Sequence, residues 1–529
     1  MASRLTRLSD IAQCSADQFP DRIALQDLSD DPGVSYAELW SRVEQGAAAL
    51  RRRGLAAGDR VLLVMDAGVD WLPAFLAIVH ADLVAIPVPS ATTAQKVGLV
   101  AFHAEVRAVV LGTSTMELAE TLTEIPCLTA TDLLRGRGLT APPPSGTGDS
   151  TAVLVFTSGS TARPRAVELT HENLLANLRS LVAVRHAGEG EAMLSVLPPA
   201  HLYELLAGQL APIAIGARVV YGGAPLPNRL VDALRTRAIT RTALVPALLD
   251  AMGQDVLGGL IDQGLVDPIW RGRSASDLAA GLESASEAML LRLRTAVRER
   301  LSASFRTIAV GGAAVSPAWF SILETFGIGV DVGYGLTEAG PLVSMGAAAE
   351  CPRGSVGRPL PGVEVRVDAG GEILVRSESV MVGYFKDPDA TARTLEGGWL
   401  RTGDRGRLDG DGFLFIAGRI KEAIVTGAGE TIYPDEVEPS YASPLFAEHA
   451  VVPSRAADGN DIATLVVVPA ADVSSTDVQQ AFAALRAAAP ARHRVTVLVV
   501  RDEPLPRTAV GKIRRRVLAD ALQPHEVLS

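Results

Sequence analysis

Apolar and polar positions along the first 134 residues follow two periods in turn. From Tyr36 to Leu50 the apolar residues recur at helical spacing, and Gly54 and Gly58 end the pattern. Asp59-Arg-Val-Leu-Leu-Val-Met65 is a short apolar run, which predicts a buried strand. A second helix and strand follow through Ala77 to Pro89, then a strand at Ala108–Gly112. Strands alternating with helices predict a parallel sheet covered on both faces. A Gly/Pro/Ser/Thr-rich loop or linker spans Arg135 to Ser150. A β-branched run from Val153 then leads into Thr157-Ser-Gly-Ser-Thr161. Thr170 is a suitable N-cap for a helix marked by Leu174, Leu175, Leu178, Leu181 and Val182. Strand, small polar loop and helix is an arrangement in which backbone N–H groups wrap a phosphate. A further series of strands and helices passes through Ser195–Pro198, Ala217–Tyr221, Ala243–Pro246 and Thr307–Gly312.

The texture changes at Gly354. Up to Ile416, short alternating runs broken by Gly and Asp predict antiparallel strands, arranged as a small barrel. From about Ile420 the chain reads as a separate α+β piece, with strands at Thr464–Val468 and Val495–Val500 and a helix near Val478–Ala488. The expected class is α/β: a large N-terminal domain of parallel α/β sheets plus a small β-barrel (about 354–416), then a small mobile α+β C-terminal domain. The boundary falls between 1–419 and 420–529.

Length supports this division, since 529 residues exceed one core and suggest two to four domains at roughly 150 residues each. A net charge of -11 argues against nucleic acid as a partner, because phosphate neutralisation needs a basic field. Cys14, Cys127 and Cys351 lie far apart with no metal or disulfide spacing, so three reduced thiols are expected. The first residues lack the apolar core of a signal peptide, and every long apolar stretch is broken by polar residues. A cytoplasmic protein without a transmembrane segment is the expectation.

Candidate chemistry lies in several stretches. Thr157, Ser158, Gly159, Ser160 and Thr161 bring hydroxyls and closely spaced N–H groups, with Arg163 and Arg165 adding charge. This is not the Gly-Lys-Ser/Thr phosphate loop of nucleotidases, and an ordinary Ser/Gly surface turn is the other reading. Asp331-Val-Gly-Tyr-Gly-Leu-Thr-Glu338 offers glycines for close backbone approach, an aromatic face and a Thr-Glu pair able to hold Mg²⁺. Gly398–Asp404 ends in a carboxylate suited to a pair of ribose hydroxyls; a turn Asp is the alternative. Gly418-Arg419-Ile-Lys421 and Pro506-Arg-Thr-Ala-Val-Gly-Lys512 complete the set.

From Tyr36 to Lys512, these motifs in this order resemble the superfamily of acyl-adenylate-forming enzymes: acyl-CoA synthetases, non-ribosomal peptide adenylation domains and beetle luciferases. The resemblance implies two half reactions. A carboxylate attacks the α-phosphate of ATP, giving acyl-AMP and pyrophosphate; a thiol then attacks the acyl-AMP. By resemblance, Thr157–Thr161 and Arg165 wrap the β- and γ-phosphates, and Thr157 with Glu338 holds Mg²⁺. Gly311, Gly312 and Ala313, with Tyr334 and Gly335, line the adenine slot, and Thr337 contacts the α-phosphate. Asp404 takes the ribose hydroxyls, Arg419 reaches ribose or phosphate, and Lys512 approaches the α-phosphate and the bridging oxygen. Lys421 marks the hinge about which the C-terminal piece rotates, bringing Gly427 and Gly429 to a thiol channel. The phosphate loop departs from the family's Gly-x-Pro-Lys-Gly: here it reads Ala162-Arg-Pro-Arg165-Ala166.

Leu197-Pro-Pro-Ala-His201-Leu-Tyr-Glu204 resembles a segment of long-chain fatty acyl-CoA synthetases, and Thr426–Glu438 resembles bacterial members of that branch. His201 then lines or gates the acyl pocket; a hydrogen-bonded core histidine is the other reading. The implied substrate is a hydrophobic fatty or aryl acid. The implied acceptor is coenzyme A, and an acyl carrier protein bearing phosphopantetheine is the alternative. A catalytically weak nucleotide- or acyl-binding homologue is a third reading, motivated by the altered loop.

Overall fold

The computed structural model describes residues 5–29, 32–135, 144–157, 165–184, 190–223, 227–273, 275–311, 317–426, 431–455, 461–490, 493–507 and 513–522. Two large sheets dominate it. A seven-stranded sheet runs in the spatial order Gly383–Tyr384, Arg165–Thr170, Thr151–Thr157, Val84–Pro89, Arg60–Met65, Ala108–Leu111, Cys127–Thr129. A nine-stranded sheet carries at its centre the neighbours Gly329–Gly335, Thr307–Val310, Arg241–Leu244, Ala192–Ser195, Arg218–Tyr221 and Ile23–Asp27, all parallel. Its edges are antiparallel, with Leu342–Ala347 and Val34–Ser35 turning back on their neighbours. The predicted parallel sheet therefore holds for the interiors, where Val61, Leu62, Leu63 and Val64 are buried on both faces.

The helix Trp71–His80 is buried at every position, as an all-round apolar sequence requires. Beside it, Arg7 and Asp82 form a buried ion pair at 2.7 Å. Arg7 also donates to the carbonyls of Val79 and Gly146 at 2.8 Å each, and Arg51 reaches the second oxygen of Asp82 at 2.7 Å. This clasp holds three distant parts of the chain at one corner.

One expectation is corrected. The hydroxyl-rich loop is not followed directly by a helix. Arg165–Thr170 returns as an antiparallel strand with Thr157 opposite Arg165, and only then does the helix His171–Val184 begin. The reason is burial: Ala166 and Val167 enter different core clusters on opposite faces of this strand, and a surface loop would leave that apolar area in water. Thr170 does cap the helix, its hydroxyl accepting the Asn173 N–H at 3.0 Å.

Where a barrel was expected, a five-stranded antiparallel sheet forms from Glu364–Val367, Glu372–Arg376, Leu395–Glu396, Trp399–Leu408 and Leu414–Arg419. Beyond it, Phe446–Arg455, Asp461–Pro469 and Val497–Val500 make a three-stranded sheet packed by the helix Ser475–Ala488. Among the described residues, no hydrophobic cluster mixes residues before Arg419 with residues after it. Four clusters draw on residues up to Ile416, and two on residues from Ile424 onward.

Candidate functional site

The parallel strands Thr307–Val310 and Gly329–Gly335 lie in register, Val310 beside Val332. Gly311 and Tyr334 therefore emerge together at the carboxyl end of the sheet, where open α/β sheets bind ligands. A Cβ on Gly335 would fall on the Pro341 carbonyl, so only glycine permits the close approach that lets Leu336 N–H donate to that carbonyl at 2.9 Å.

Tyr334 donates its hydroxyl to Asp404 Oδ2 at 2.5 Å, and Arg419 Nε sits 2.8 Å from Asp404 Oδ1. Asp404 and Arg419 face each other across an antiparallel pair, so strand register fixes this contact. The Asp404 side chain is 5% exposed and that of Arg419 44% exposed, so the carboxylate is sheltered while the cation keeps an open side. Burial raises the Tyr334 phenol well above its ordinary range, and the neighbouring Asp404 carboxylate adds to the shift. The phenol thus remains a donor. Burial disfavours the Arg419 charge, but Asp404, Tyr334, Glu338 and Glu422 more than offset this and hold it up. The Asp404 N–H in turn donates to the buried Thr402 hydroxyl at 3.1 Å.

Thr337–Ala339 is a single 3₁₀ turn after the strand. Glu338 is fixed at two points: its carbonyl accepts the Met381 N–H at 2.9 Å, and its carboxylate accepts the Tyr384 hydroxyl at 2.9 Å. Tyr384 belongs to a short strand paired with Val167, and the Arg165 guanidinium lies 5.5 Å over its ring. Arg165 also approaches Asp387 at 3.7 Å. Thr157, opposite Arg165, is therefore linked to Glu338 through Arg165 and Tyr384. Sequence reasoning missed Tyr384 and Asp387. Their only signal was an aromatic and an acid in Gly383-Tyr-Phe-Lys-Asp387, with nothing to show which strand they would meet.

His201 lies just before a π-helical segment, Glu204–Leu210, a geometry that frequents functional sites. Its Nε2 is buried with no hydrogen-bond partner among the described residues, and burial pushes its pKa down. Glu204 is fully enclosed, and Ser195 donates to its Oε1 at 2.5 Å. Burial pushes the Glu204 carboxyl up to about 8, with the Ser195 hydrogen bond working against the shift, so it is largely protonated at neutral pH. Sequence reasoning noted Glu204 as a pattern residue and did not see its pairing with Ser195.

Lys421 is exposed on the 3₁₀ turn Ile420–Glu422, directly after Arg419. Arg507 and Ile513 bridge each other, and Arg514 N–H donates to the Pro506 carbonyl at 2.7 Å. The charge of Arg507 also reaches Asp250, on the helix Pro246–Asp262 of the large sheet region. Ser158, Gly159, Ser160, Thr161, Gly312, Ala313, Gly427, Gly429 and Lys512 lie outside the described residues. Among the described residues no group of three or more His, Cys, Asp or Glu could hold a metal, and no helix is long and apolar enough to cross a membrane.

A family model described as AMP-binding enzyme matches residues 12–385. The chain belongs to the AMP-binding enzyme family. It is 29% identical over 476 residues to a long-chain-fatty-acid–CoA ligase of Mycobacterium tuberculosis, covering 82% of this chain and 78% of that one. It is 31% identical to a feruloyl-CoA synthase of Amycolatopsis sp, covering 91% and 92%. A fatty acid–[acyl-carrier-protein] ligase of Mycobacterium marinum is 28% identical, covering 98% of each. The fold matches an O-succinylbenzoate coenzyme A synthetase from Bacillus subtilis solved with ATP and magnesium, with a TM-score of 0.78, 22% identity, and 97% and 99% coverage.

Proposed function

We propose that this enzyme activates a hydrophobic carboxylic acid with ATP and passes the acyl group to a thiol, coenzyme A. The observation that carries the reading is Asp404, sheltered between Tyr334 and Arg419 at the carboxyl end of the parallel strands. A fixed carboxylate beside an open guanidinium suits two ribose hydroxyls next to a phosphate. The names of the relatives, which act on fatty and aryl acids, support the substrate class and the acceptor.

In the first half reaction an acid oxygen bonds to the α-phosphorus of ATP and the bond to the pyrophosphate oxygen breaks. Little covalent chemistry falls to the protein, so positioning and charge neutralisation dominate. Tyr334 with Gly311 would bound the adenine, and Asp404 would hold the ribose. Arg419 would neutralise phosphate charge, and Thr337 would contact the α-phosphate. Thr157 and Glu338 offer hydroxyl and carboxylate oxygens linked through Arg165 and Tyr384, a donor set that fits Mg²⁺ completed by water and phosphate. When bound, that ion would offset phosphate charge. Lys512 would approach the bridging oxygen as a compact charge on a flexible stem.

We assign residues 1–419 to the adenylating domain and 420–529 to a mobile one hinged at Lys421. The separate hydrophobic clusters on either side of Arg419 support this. In the second half reaction the thiol sulfur bonds to the acyl carbon and AMP departs; rotation at Lys421 would withdraw Lys512 and bring Gly427 and Gly429 alongside the thiol. His201, whose buried Nε2 has no hydrogen-bond partner among the described residues, would border the acyl group.

Acid-dependent ATP–pyrophosphate exchange over a panel of acids, then discharge to coenzyme A, tests the reading. Exchange with fatty or aryl acids and a coenzyme A thioester product are expected. Absence of exchange with every acid would leave only a weak nucleotide-binding homologue. A second acceptor, an acyl carrier protein, is favoured by the full-length match to a carrier-protein ligase; transfer to carrier alone would select it.

A further inference from the structure

A cavity of about 300 Å³ lies among the helices Pro246–Asp262, Ala275–Glu283, Glu287–Leu301 and Pro317–Thr325. None of the residues assigned above to nucleotide, acid or thiol lines it. Its walls include Met252, Val256, Leu282 and Met289 and the indoles of Trp270 and Trp319. Its one charged lining residue, Asp267, is exposed at the rim. The Trp319 N–H is already given to Asp250, so that indole turns only carbon toward the space.

This space is built rather than left over. Gly253 and Gly281 have no room for a Cβ, because the Trp319 and Trp270 rings lie against them. Two large flat walls are thus seated on glycines. Protein interiors are otherwise close-packed, and an apolar void of this size forgoes the dispersion contacts of its whole lining. Water gains nothing by entering, since it needs two to four polar partners. At ~30 Å³ for a water-sized group, the volume takes a chain of about ten such groups.

We propose that this cavity is a second apolar binding site, for a single unbranched alkyl chain whose head group stays at the rim beside Asp267 and Met289. Met289 is 37% exposed there, and Ile269 nearby is 63% exposed, so apolar surface leads from solvent to the interior. The site is separate from the reacting centre. It occupies the helical layer on one face of the nine-stranded sheet, and its lining ends at Ile328, before the strand whose far end carries Tyr334. Its Ile328 wall lies at the start of that strand, roughly 17 Å of extended chain from Tyr334. The proposal does not depend on which acid the enzyme activates.

The test uses the full chain and ω-bromononanol, an alcohol that cannot be adenylated and whose bromine quenches nearby indoles. Saturable quenching of tryptophan emission is expected, from Trp270 and Trp319. Leu282→Phe, which fills the cavity, should abolish it. Met289→Glu, a rim change that spares the interior, should weaken binding at least about tenfold. Both variants should keep wild-type ATP–pyrophosphate exchange with a short-chain acid. Absence of saturable quenching, or quenching undiminished in both variants, would overturn the proposal. So would competition between the alcohol and the acid in exchange, which would make the cavity the reacting acid's own pocket. If the enzyme shows no acid-dependent exchange, the proposed function fails and the quenching result still stands.

Discussion

Tyr384 does two jobs with one side chain. Its hydroxyl holds the Glu338 carboxylate and its ring lies under Arg165. Tyr384→Phe keeps the ring and deletes one hydrogen bond to a charged acceptor, worth about 1.5–3 kcal/mol. We expect kcat/KM for pyrophosphate exchange to fall about tenfold or more, with the magnesium dependence shifted to higher concentration and the unfolding midpoint lowered by a few degrees at most. An unaltered magnesium profile would detach Tyr384 from the site. His171 acts on stability instead. Its Nδ1 accepts the Leu8 N–H at 3.2 Å, and burial, helped by Arg7, pushes its pKa down to about 3. An unfolded histidine titrates near ~6.5, so between these values the unfolded chain binds more protons. This contribution is complete above ~6.5 and is lost as pH falls toward ~3, at up to ~1.4 kcal/mol per pH unit. His171→Asn keeps an acceptor without a titrating group. Between about pH 7 and about pH 5 its stability should drop less than wild type by roughly 2 kcal/mol in urea titrations; equal drops would exclude His171 as the source.

At the scale of elements, two devices hold the large region together. The hairpin of Thr151–Thr157 and Arg165–Thr170 carries the hydroxyl-rich loop at its tip and leads into the helix at Thr170. Its return strand also pairs with Gly383–Tyr384, so one edge brings Arg165, Tyr384 and Glu338 together. The second device is the clasp at Asp82, which follows the helix Trp71–His80 with φ at 57°. Burial opposes its ionisation, but the Ser145 and Gly146 N–H groups and Arg7 outweigh this and hold its pKa low. Asp82→Ala leaves the guanidinium of Arg7 buried without its carboxylate, a loss of ~3–5 kcal/mol. The unfolding midpoint should fall accordingly, while exchange activity measured well below that midpoint stays near wild type. A change under ~1 kcal/mol would mean the corner is held by apolar packing alone.

For the whole molecule the question is how one chain serves two reactions. Arg515, at the start of the last described helix, reaches Glu422 at 3.0 Å, Asp435 at 2.6 Å and Glu438 at 2.8 Å. Residues beyond Arg419 are thereby tied to the segment that follows Lys512. Arg507, on the other side of Lys512, carries its charge toward Asp250 of the large region. Lys512→Ala should slow acid-dependent exchange about a hundredfold or more, yet leave thioester formation from supplied acyl-AMP close to wild type. Equal loss in both half reactions would contradict a switching role.

Much of this was legible in the sequence. Helical and apolar-run periodicity located the strands around Arg60–Met65, Val84–Pro89 and Thr307–Val310, because a strand buried on both faces must be apolar throughout. The order of motifs from Thr157 to Lys512 carried the family. Other features depend on which strands become neighbours. The return strand Arg165–Thr170 is too short to outvote a loop until both its faces are covered. Asp404 reads equally as a ribose-binding carboxylate or a turn residue until register sets it opposite Arg419. Tyr384, the Ser195–Glu204 pair and the cavity between four helices have no signature, since each arises from contacts across the sequence. Local spacing determined elements and chemistry in this protein; pairing and burial, which are non-local, decided which side chains share a site.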